Sequence, residues 1–408
     1  MLYRPKLKTG KLVSLNWTIV TFRRLNLICW PLEDDVPMWA KVFDRCYYIY
    51  CILLFVQHIE AETRFLNYHF DNLDLLLQGL TAYLVQNELA LRSVQFGLRK
   101  QRYRQFLQKF YADIYIEKST NPKHFRSIQR KLLPTFICSS AYILTLFLYV
   151  ITPFISLYNH RRDLLYDMIY PFDVTPLYIY LPIAFTNIWL GFHLVTSIFG
   201  EANVISEVML HLNGRYLLMN EDLQNSSRKL LKEADAATLS YKFSQEVKRI
   251  IKRNVELNQF AAEIQAMFNY QIFIMFSFAA LLLCVLGFKV FTNVSDSISF
   301  IVWIFSKTAE MIAIGEIGST LIATTNNVSS MYYNSNWELI ISHSTNTREN
   351  IQLMKLLAIA IETNHKPFQL TGFNYFSVSL TTVMKIIQAA GSYFTCLVTI
   401  RENNKNYH

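Results

Sequence analysis

The chain has 408 residues, of which 52% are hydrophobic and only 17% are charged. Soluble domains carry about a quarter charged residues, so this composition excludes an ordinary soluble globular protein. Phe and Tyr are abundant (30 and 24) while Gly and Pro are scarce (11 and 10), which argues against a glycine-rich β-barrel and against long disordered linkers. The net charge of +9 does not indicate a nucleic-acid partner, because the basic residues lie between apolar segments.

The N-terminal segment, residues 1–41, contains seven Lys and Arg residues. Its apolar run is interrupted by Asn16 and by the pair Arg23 and Arg24 before it reaches the length of a signal peptide. We therefore predict a cytosolic segment that forms a partly amphipathic approach to the membrane.

Seven apolar segments follow that are long enough to cross ~30 Å of hydrocarbon, which takes about 20 residues of helix. They cover residues 42–59, 71–91, 132–155, 176–199, 268–291, 298–323 and 375–400. The second segment is the least apolar, because its polar side chains would be costly against lipid. These side chains, which we expect to face protein or water, are Asp74, Gln78, Asn87 and Glu88.

The distribution of Lys and Arg predicts the orientation, because cytosolic loops hold the excess of positive charge. The N-terminal segment and the stretches 92–131, 200–267 and 324–374 contain 30 of the 39 Lys and Arg residues, whereas the opposite loops and the C-terminal tail contain five. The N-terminus is therefore predicted to be cytosolic and, after seven spans, the tail 401–408 extracellular. Of the four Asn-x-Ser/Thr sites only Asn293 then lies outside the cell, since Asn16, Asn225 and Asn327 are cytosolic.

These segments predict an all-α membrane protein with seven transmembrane helices and a cytosolic helical anchor. The apolar periodicity of the stretch 241–267 predicts a long helix that continues into the fifth span. The stretch 328–361 has a helical pattern but is too polar to cross the membrane. The predicted parts are a bundle of spans one to four at 42–199, a cytosolic loop with a long helix at 200–267, spans five and six at 268–323, anchor helices at 324–374, and the seventh span at 375–400.

Signatures of enzymes such as HExxH, GxSxG and the P-loop are absent, so we predict neither an enzyme nor a cofactor. His58 and His69 flank a short loop that contains acidic residues. A metal site would require these carboxylates to converge, and acidic loops are common, so no metal is predicted. In the sixth segment Lys307 and Glu310 are three residues apart and share a helix face on which they can pair. Such a pair in a membrane helix either has a function or only neutralises itself, and both interpretations stay open.

A candidate ligand pocket is indicated by aromatic, leucine and small polar residues in the outer halves of spans two, three, four and six. Such a set suits a mostly apolar pocket with a few hydroxyl groups that orient a small ligand. Helix packing and interfacial aromatic belts produce the same pattern, so that alternative stays open for each residue. The candidates are Leu80, Tyr83, Leu84, Tyr142, Thr145, Leu146, Tyr149, Tyr178, Leu181, Phe185, Trp189, Trp303 and Phe305.

The last quarter of the chain has the most specific motif. It comprises Tyr332-Tyr333, Trp337, Lys366-Pro367, Gly372 and the run FNYFSVSLTTVMKIIQAAGSYFTCLVTIR from Phe373 to Arg401. This motif resembles the C-terminal signature of insect odorant receptors, and the loop YPFDVTPLYIYLP before the fourth span is similar to theirs. The related gustatory receptors usually have Thr-Tyr followed by apolar residues where this chain has Ser392-Tyr393-Phe394-Thr395.

The resemblance implies a ligand-gated, nonselective cation channel in the plasma membrane of olfactory sensory neuron dendrites. It further implies a tetramer with the shared odorant co-receptor. This tetramer lies in membrane lipid and conducts cations. In that family the seventh helices line the pore, and small volatile odorants bind among the outer halves of spans two, three, four and six. The gate valine of the co-receptor corresponds to Cys396, and its glutamine and leucine near the outer mouth correspond to Thr399 and Ile400. Because the gate position is smaller here, the degree to which this subunit closes the pore stays open.

Three other classes of membrane protein are alternatives. A gustatory receptor channel belongs to the same superfamily. A G-protein-coupled receptor would have an extracellular N-terminus and usually a disulfide from its third span, and this chain has no Asp-Arg-Tyr after that span and no Asn-Pro-x-x-Tyr in the seventh. A transporter would be expected to show broken helices or matching Gly and Pro interruptions, which the sequence does not show.

Overall fold

The computed structural model describes residues 2–292 and 298–406, which are mostly α-helical. The helices are α1 (Trp17–Leu25), α2 (Met38–Tyr68), α3 (Leu73–Leu98), α4 (Lys100–Lys109), α5 (Pro122–Tyr158), α6 (Leu177–Glu233), α7 (Leu239–Thr292), α8 (Ile298–Asn326), α9 (Val328–Tyr333), α10 (Trp337–His343), α11 (Thr347–Thr363) and α12 (Leu380–Asn406). A π-helical turn at Phe110–Ile114 extends α4. The short strands β1 (Thr371–Gly372) and β2 (Phe376–Ser377) pair in antiparallel fashion.

The seven predicted spans coincide with the long helices α2, α3, α5, α6, α7, α8 and α12. In the described ranges, four helical stretches are long and apolar enough to cross a membrane by length and composition alone: Pro122–Tyr158, Leu177–Glu233, Leu239–Thr292 and Leu380–Glu402. The other three long helices, α2, α3 and α8, carry charged side chains in their interiors, among them Glu62, Glu88 and Lys307. The prediction of an all-α membrane fold is confirmed. The direction in which the chain crosses the membrane stays a prediction, and Asn293 lies outside the described residues.

Helices α6 and α7 extend well beyond their predicted spans. They contain 57 and 54 residues, so each is about 80 Å long at 1.5 Å per residue, far more than the ~30 Å of a bilayer core. The stretch 241–267 lies within α7, as predicted. By contrast, 200–233 continues the fourth span as one helix instead of forming a loop, because its apolar residues are buried on nearly all sides between Phe199 and Gly214.

The projecting ends of α6 and α7 form an anchor together with the short helices α9, α10 and α11. We expected helical structure over 328–361, and the chain there forms three helices with two breaks. The first break is at Asn336, whose φ of 59° is a left-handed conformation that asparagine tolerates better than most residues. At the second break the side chain of Asn346 caps α11 by accepting a hydrogen bond from the backbone N–H of Glu349 at 3.3 Å.

The N-terminal segment folds onto the anchor end of the bundle. Phe22 and Trp30 are fully buried, and the indole N–H of Trp30 donates to the backbone carbonyl of Tyr3 at 3.0 Å. A Cβ added at Gly200 would lie 2.3 Å from the Phe22 ring, so this close approach to α6 requires glycine. The segment is therefore part of the packed core and not only an amphipathic approach to the membrane.

The last helix, α12, packs on α7 and α8 with one side only. It begins at Leu380, five residues later than the predicted span, because the chain before it forms the β1–β2 hairpin. It also continues to Asn406 and thus includes most of the predicted tail 401–408. Val383 and Ala390 are buried against the bundle, whereas most of the other side chains of this helix are exposed in the isolated subunit.

Candidate functional site

A cavity lies between α3, α5, α6 and α8, at the end of the bundle opposite the anchor. Its volume is about 70 Å³, counted as the space open to the centre of a water molecule, and the end of α7 and the loop 159–176 complete its wall. Most of the lining is apolar, including Val85, Leu146, Leu194, Val195 and Phe300. This arrangement is typical of a site for a small apolar ligand.

A few polar groups interrupt the apolar wall. The side-chain amide of Gln78 donates to a carboxylate oxygen of Asp167 at 3.4 Å. The ammonium group of Lys289 lies 3.9 Å from the centre of the Phe300 ring, which is a cation–π contact. The indole nitrogen of Trp303 is buried and has no acceptor among the described residues.

Three of the thirteen pocket candidates line this cavity: Leu146, Tyr149 and Trp303. The Trp303 ring meets the rings of Tyr142 and Tyr149 edge-on, with centroid distances of 6.3 and 6.0 Å. Tyr142 itself does not line the cavity, since its hydroxyl points to Glu310. Thr145 is fully buried and donates to the backbone carbonyl of Ala141.

The other candidates are not brought together around the cavity. Leu80 and Leu84 pack on a separate apolar cluster that contains Leu77, Val285 and Phe288. Trp189 stacks on His193 with centroids 5.3 Å apart, and Tyr83 is half-buried outside the cavity wall. The remaining four are exposed on the bundle surface, where apolar side chains face lipid in a membrane protein: Tyr178, Leu181, Phe185 and Phe305.

Sequence reasoning missed several lining residues. Thr81, Ala82 and Gly191 are small residues on helix faces that no local pattern distinguishes. The loop residues Leu165, Tyr166 and Asp167 fold back over the cavity, which no local feature indicated. Of these missed residues, Lys289 is the one that the sequence could have indicated, because a lysine inside an apolar segment usually faces protein or water.

A cluster of buried charges lies one helical turn further toward the anchor. Arg92 contacts Glu88 at 2.7 Å and Glu201 at 2.8 Å. Lys307 lies 3.4 Å from Glu88 and 3.3 Å from Glu310, so the predicted Lys307–Glu310 pair is present. The side chains of all five residues are at most 3% exposed, which makes this an extensive charge network with three carboxylates and two cations.

The polar residues of the second span each have a polar partner within the subunit. Gln78 contacts Asp167, Glu88 belongs to the charge cluster, and Asn87 donates to the backbone carbonyl of Tyr83 at 2.8 Å. Asp74 forms an ion pair with Arg401 of α12 at 2.9 Å. The start of α3 is thereby joined to the far end of α12.

Cys396, Thr399 and Ile400 are exposed on α12 in the isolated subunit. Their spacing of three and four residues places them on one face of the helix. A polar stripe runs along this exposed side at alternating intervals of four and three residues; its members are Thr381, Lys385, Gln388, Ser392, Thr395 and Thr399.

In the anchor, α6 carries a buried acid and a buried histidine. Burial raises the pKa of Glu207 to about 8, and its one hydrogen-bond partner among the described side chains is the hydroxyl of Tyr111 at 3.5 Å. Burial lowers the pKa of His211 to about 3. The backbone N–H of Ile116 donates to His211 Nδ1 at 2.9 Å, which fits a neutral imidazole with its proton on Nε2.

The acidic loop near His58 and His69 has a structural explanation. His58 is buried, and its Nδ1 lies 2.8 Å from the backbone carbonyl of Leu54, to which it can donate. Glu62 accepts a hydrogen bond from the amide of Gln86 at 2.6 Å. Within residues 2–292 and 298–406, no three His, Cys, Asp or Glu side chains converge in a way that could hold a metal ion.

The long helices, the mostly apolar cavity at one end and the helical anchor at the other define a multi-pass helical membrane receptor. A family model described as "7tm Odorant receptor" matches residues 72–391, and the chain belongs to that family. This confirms the resemblance that the C-terminal motif indicated, and it is a family of receptors and not of enzymes.

The chain is similar to several Drosophila melanogaster proteins. It is 40% identical to Odorant receptor 74a over 399 residues, which cover 98% of this chain and 99% of that protein. It is also 40% identical to Odorant receptor 35a over 401 residues, which cover 98% of each. Odorant receptor 13a is 20% identical over 391 residues, with coverages of 91% and 92%.

Among solved structures, the chain is similar in fold to the insect olfactory receptor OR5 from Machilis hrabei in complex with eugenol. The TM-score is 0.76 at 11% sequence identity, and the match covers 94% of this chain and 97% of that one. A second structure of OR5 from Machilis hrabei gives a TM-score of 0.74 at 12% identity, with the same coverage. At such low identity the likeness shows the fold.

Proposed function

We propose that this chain is the odorant-binding subunit of a ligand-gated, nonselective cation channel. It works in the plasma membrane of olfactory sensory neuron dendrites together with odorant co-receptor subunits. Family membership supports the receptor role. The observation that carries the proposal is the mostly apolar cavity between α3, α5, α6 and α8, the helices that contain the spans in which a pocket was predicted.

The odorant is proposed to bind in this cavity. Leu146, Tyr149 and Trp303 remain from the original candidates, and Thr81, Val85 and Leu194 join them. A related fold is described in complex with eugenol, a small aromatic molecule, which supports a ligand of this size. A volatile compound of ~10 heavy atoms that gains about 0.3 to 1 kcal/mol per atom would bind with a dissociation constant between several millimolar and roughly 50 nM.

The pore is proposed to be lined by α12. Its exposed polar stripe has no partner within the described part of the subunit, and four such helices around an axis would enclose a polar path for cations. Cys396, Thr399 and Ile400 lie near one end of this face, where a constriction of mostly apolar side chains can close by dewetting. The ion pair between Arg401 and Asp74 holds this end against α3.

Assembly with other subunits is proposed to occur through the anchor. Large apolar side chains are exposed on its short helices, including Leu339, Ile351, Met354 and Ile359. Exposed apolar surface of this kind marks protein interfaces. The subunit alone should therefore form few channels or none.

The test is expression with and without the co-receptor, with current recorded at fixed voltage during application of an odorant panel. We expect odorant-evoked cation current only when both proteins are present. Uptake of a radiolabelled odorant without current would indicate a carrier, and a current that requires G-protein signalling would indicate a metabotropic receptor. Full-sized odorant currents without the co-receptor would contradict obligate heteromer formation.

The proposed pore has its own test. Cys396 should react slowly with methanethiosulfonate reagents in the closed channel and faster with odorant present, and Cys396→Ser should abolish the resulting change in current. Equal rates in both states would indicate that Cys396 packs against a neighbouring helix. Charge substitutions at Thr399 or Ile400 without any effect on ion selectivity would exclude α12 from the pore.

A further inference from the structure

We infer that the cavity selects small apolar molecules that carry a hydrogen-bond acceptor, a carbonyl oxygen above all, and that Trp303 and Lys289 are the donors that recognise it. This inference rests on the proposed function, since it names the chemical class of ligand for the same cavity. It follows from the balance between donors and acceptors in the cavity wall.

Trp303 supplies the first donor. An indole N–H can only donate, and this one is buried without an acceptor among the described residues. Its ring is held by the edge-on contacts with Tyr142 and Tyr149, at 6.3 and 6.0 Å between centroids. A buried donor without a partner costs free energy, which a ligand oxygen within reach would recover.

Lys289 supplies further donors. Its ammonium group lies over the Phe300 ring at 3.9 Å, and no carboxylate within the described ranges lies within ion-pair distance of it. Asp167 is the one acid among the described residues of the cavity wall; it attracts the ammonium group without forming an ion pair with it, and one of its oxygens accepts a hydrogen bond from Gln78 at 3.4 Å. The ammonium N–H groups are therefore available to a ligand, and a cation–π contact does not use them as hydrogen bonds.

The apolar part of the wall limits the rest of the ligand. Val85, Leu146, Leu194 and Val195 offer no side-chain hydrogen bonds, so the part of the molecule that packs against them must be hydrocarbon. The other polar groups of the wall are the side chains of Gln78, Thr81 and Asp167 and the hydroxyl groups of Tyr149 and Tyr166. The hydroxyl of Thr81 already donates to the backbone carbonyl of Leu77 at 3.2 Å, so only its lone pairs face the cavity. A ketone or ester satisfies the free donors, an alkane leaves them unpaired, and an alkylammonium ion meets the like charge of Lys289.

The test compares molecules of one shape in cells that express the chain with the co-receptor. The probes are 2-heptanone, 2-methylheptane and 2-aminoheptane, together with the corresponding series from six to nine carbons. In the wild type we expect the ketones to have half-maximal concentrations at least about tenfold lower than the alkanes, and the amines to be inactive.

Substitutions at two residues test which side chains recognise the ligand. Trp303→Phe and Lys289→Met should each raise the half-maximal concentration for ketones by about tenfold while that for alkanes changes less than about twofold. Matched controls are Trp39→Phe and Lys118→Met, which alter exposed residues outside the cavity. Lys289→Glu should lose ketone responses and gain responses to amines. This gain cannot result from misfolding.

The outcomes separate the inference from the proposed function. Alkanes as potent as ketones in the wild type, or an unchanged preference in both Trp303→Phe and Lys289→Met, would overturn the inference while odorant gating stands. Failure of Lys289→Glu to respond to amines, with normal surface labelling, would also overturn it. If no compound of any class evokes current while a co-receptor agonist does, the proposed function itself is wrong.

Discussion

Tyr142 of α5 donates a hydrogen bond to Glu310 of α8 across 2.7 Å, while its ring meets that of Trp303 edge-on. One side chain thus touches the cavity wall and the buried charge cluster. Glu310 also contacts Lys307, which reaches Glu88 of α3. A ligand that shifts Trp303 therefore acts on contacts that hold three helices together.

The first prediction concerns this link. Tyr142→Phe keeps the ring and removes the hydrogen bond to a buried carboxylate, so the free energy of unfolding should fall by about 1–3 kcal/mol. The maximal odorant current, relative to the current from a co-receptor agonist, should fall as well. Thermal unfolding in detergent and paired recordings measure the two effects. Tyr178→Phe, at a tyrosine that is 77% exposed, is the control, and equal behaviour of the two variants would contradict the link.

The second prediction concerns Lys307. Lys307→Met leaves Glu88 and Glu310 without this cation in a buried site, which should cost about 3–5 kcal/mol and reduce surface expression. Adding Glu310→Gln removes one of the stranded charges, so the double variant should be more stable than the single one. The exposed pair of Arg64 and Glu60 is the matched control, where Arg64→Met should cost less than about 1 kcal/mol. No recovery in the double variant would show that Lys307 and Glu310 are not energetically coupled.

The third prediction concerns pH and Glu207. Its folded-state pKa of about 8 exceeds the ordinary value of 4.5, so between these values the folded protein holds a proton that the unfolded chain releases. The free energy of unfolding should therefore fall as pH rises from about 6.5 to 8, by up to about 1.4 kcal/mol per pH unit from this group; below that range the lowered pKa of His211 contributes a slope of opposite sign. Glu207→Gln should remove this slope in thermal unfolding, whereas Asp222→Asn, at an exposed acid on the same helix, should retain it. A slope that is identical in Glu207→Gln and wild type would contradict the assignment.

The fourth prediction concerns topology. The N-terminal segment packs on α6 beside Gly200, so Asn16 belongs to the same end of the molecule as Asn225 and Asn327. With that end in the cytosol, none of the three should be glycosylated. Endoglycosidase treatment followed by a mobility assay measures this, and an engineered acceptor site in the loop 159–176 is the positive control. Glycan at Asn16 or Asn225 in the wild-type protein would reverse the orientation.

The sequence predicts some features of this molecule well and others poorly, for physical reasons. The spans are evident because a bilayer requires long apolar helices, and the Lys307–Glu310 pair follows from helical spacing alone. Phe185 and Phe305 lie on the bundle surface and not around the cavity, which the sequence could not distinguish because an aromatic side chain in a membrane helix is equally suited to a pocket and to lipid. The contact between Phe22 and Gly200 joins residues far apart in the chain, and no local pattern predicts such a contact.

The central claim is that an odorant bound in the cavity opens the channel, and Gly191 allows a direct test. A Cβ at this position would lie 3.2 Å from the Tyr166 hydroxyl and 3.3 Å from a methyl group of Leu146, so Gly191→Leu should fill part of the cavity. The measurement is the odorant dose-response of whole-cell current with the co-receptor present, normalised to the current from a co-receptor agonist. Phe185→Leu, at a residue that is 71% exposed, is the control.

For Gly191→Leu we predict a loss of the odorant response, or a half-maximal concentration at least about tenfold higher, with normal surface expression and an intact co-receptor-agonist current. Phe185→Leu should respond like the wild type. A Gly191→Leu subunit with the wild-type dose-response curve would show that odorants open the channel from a different site, and would contradict the account.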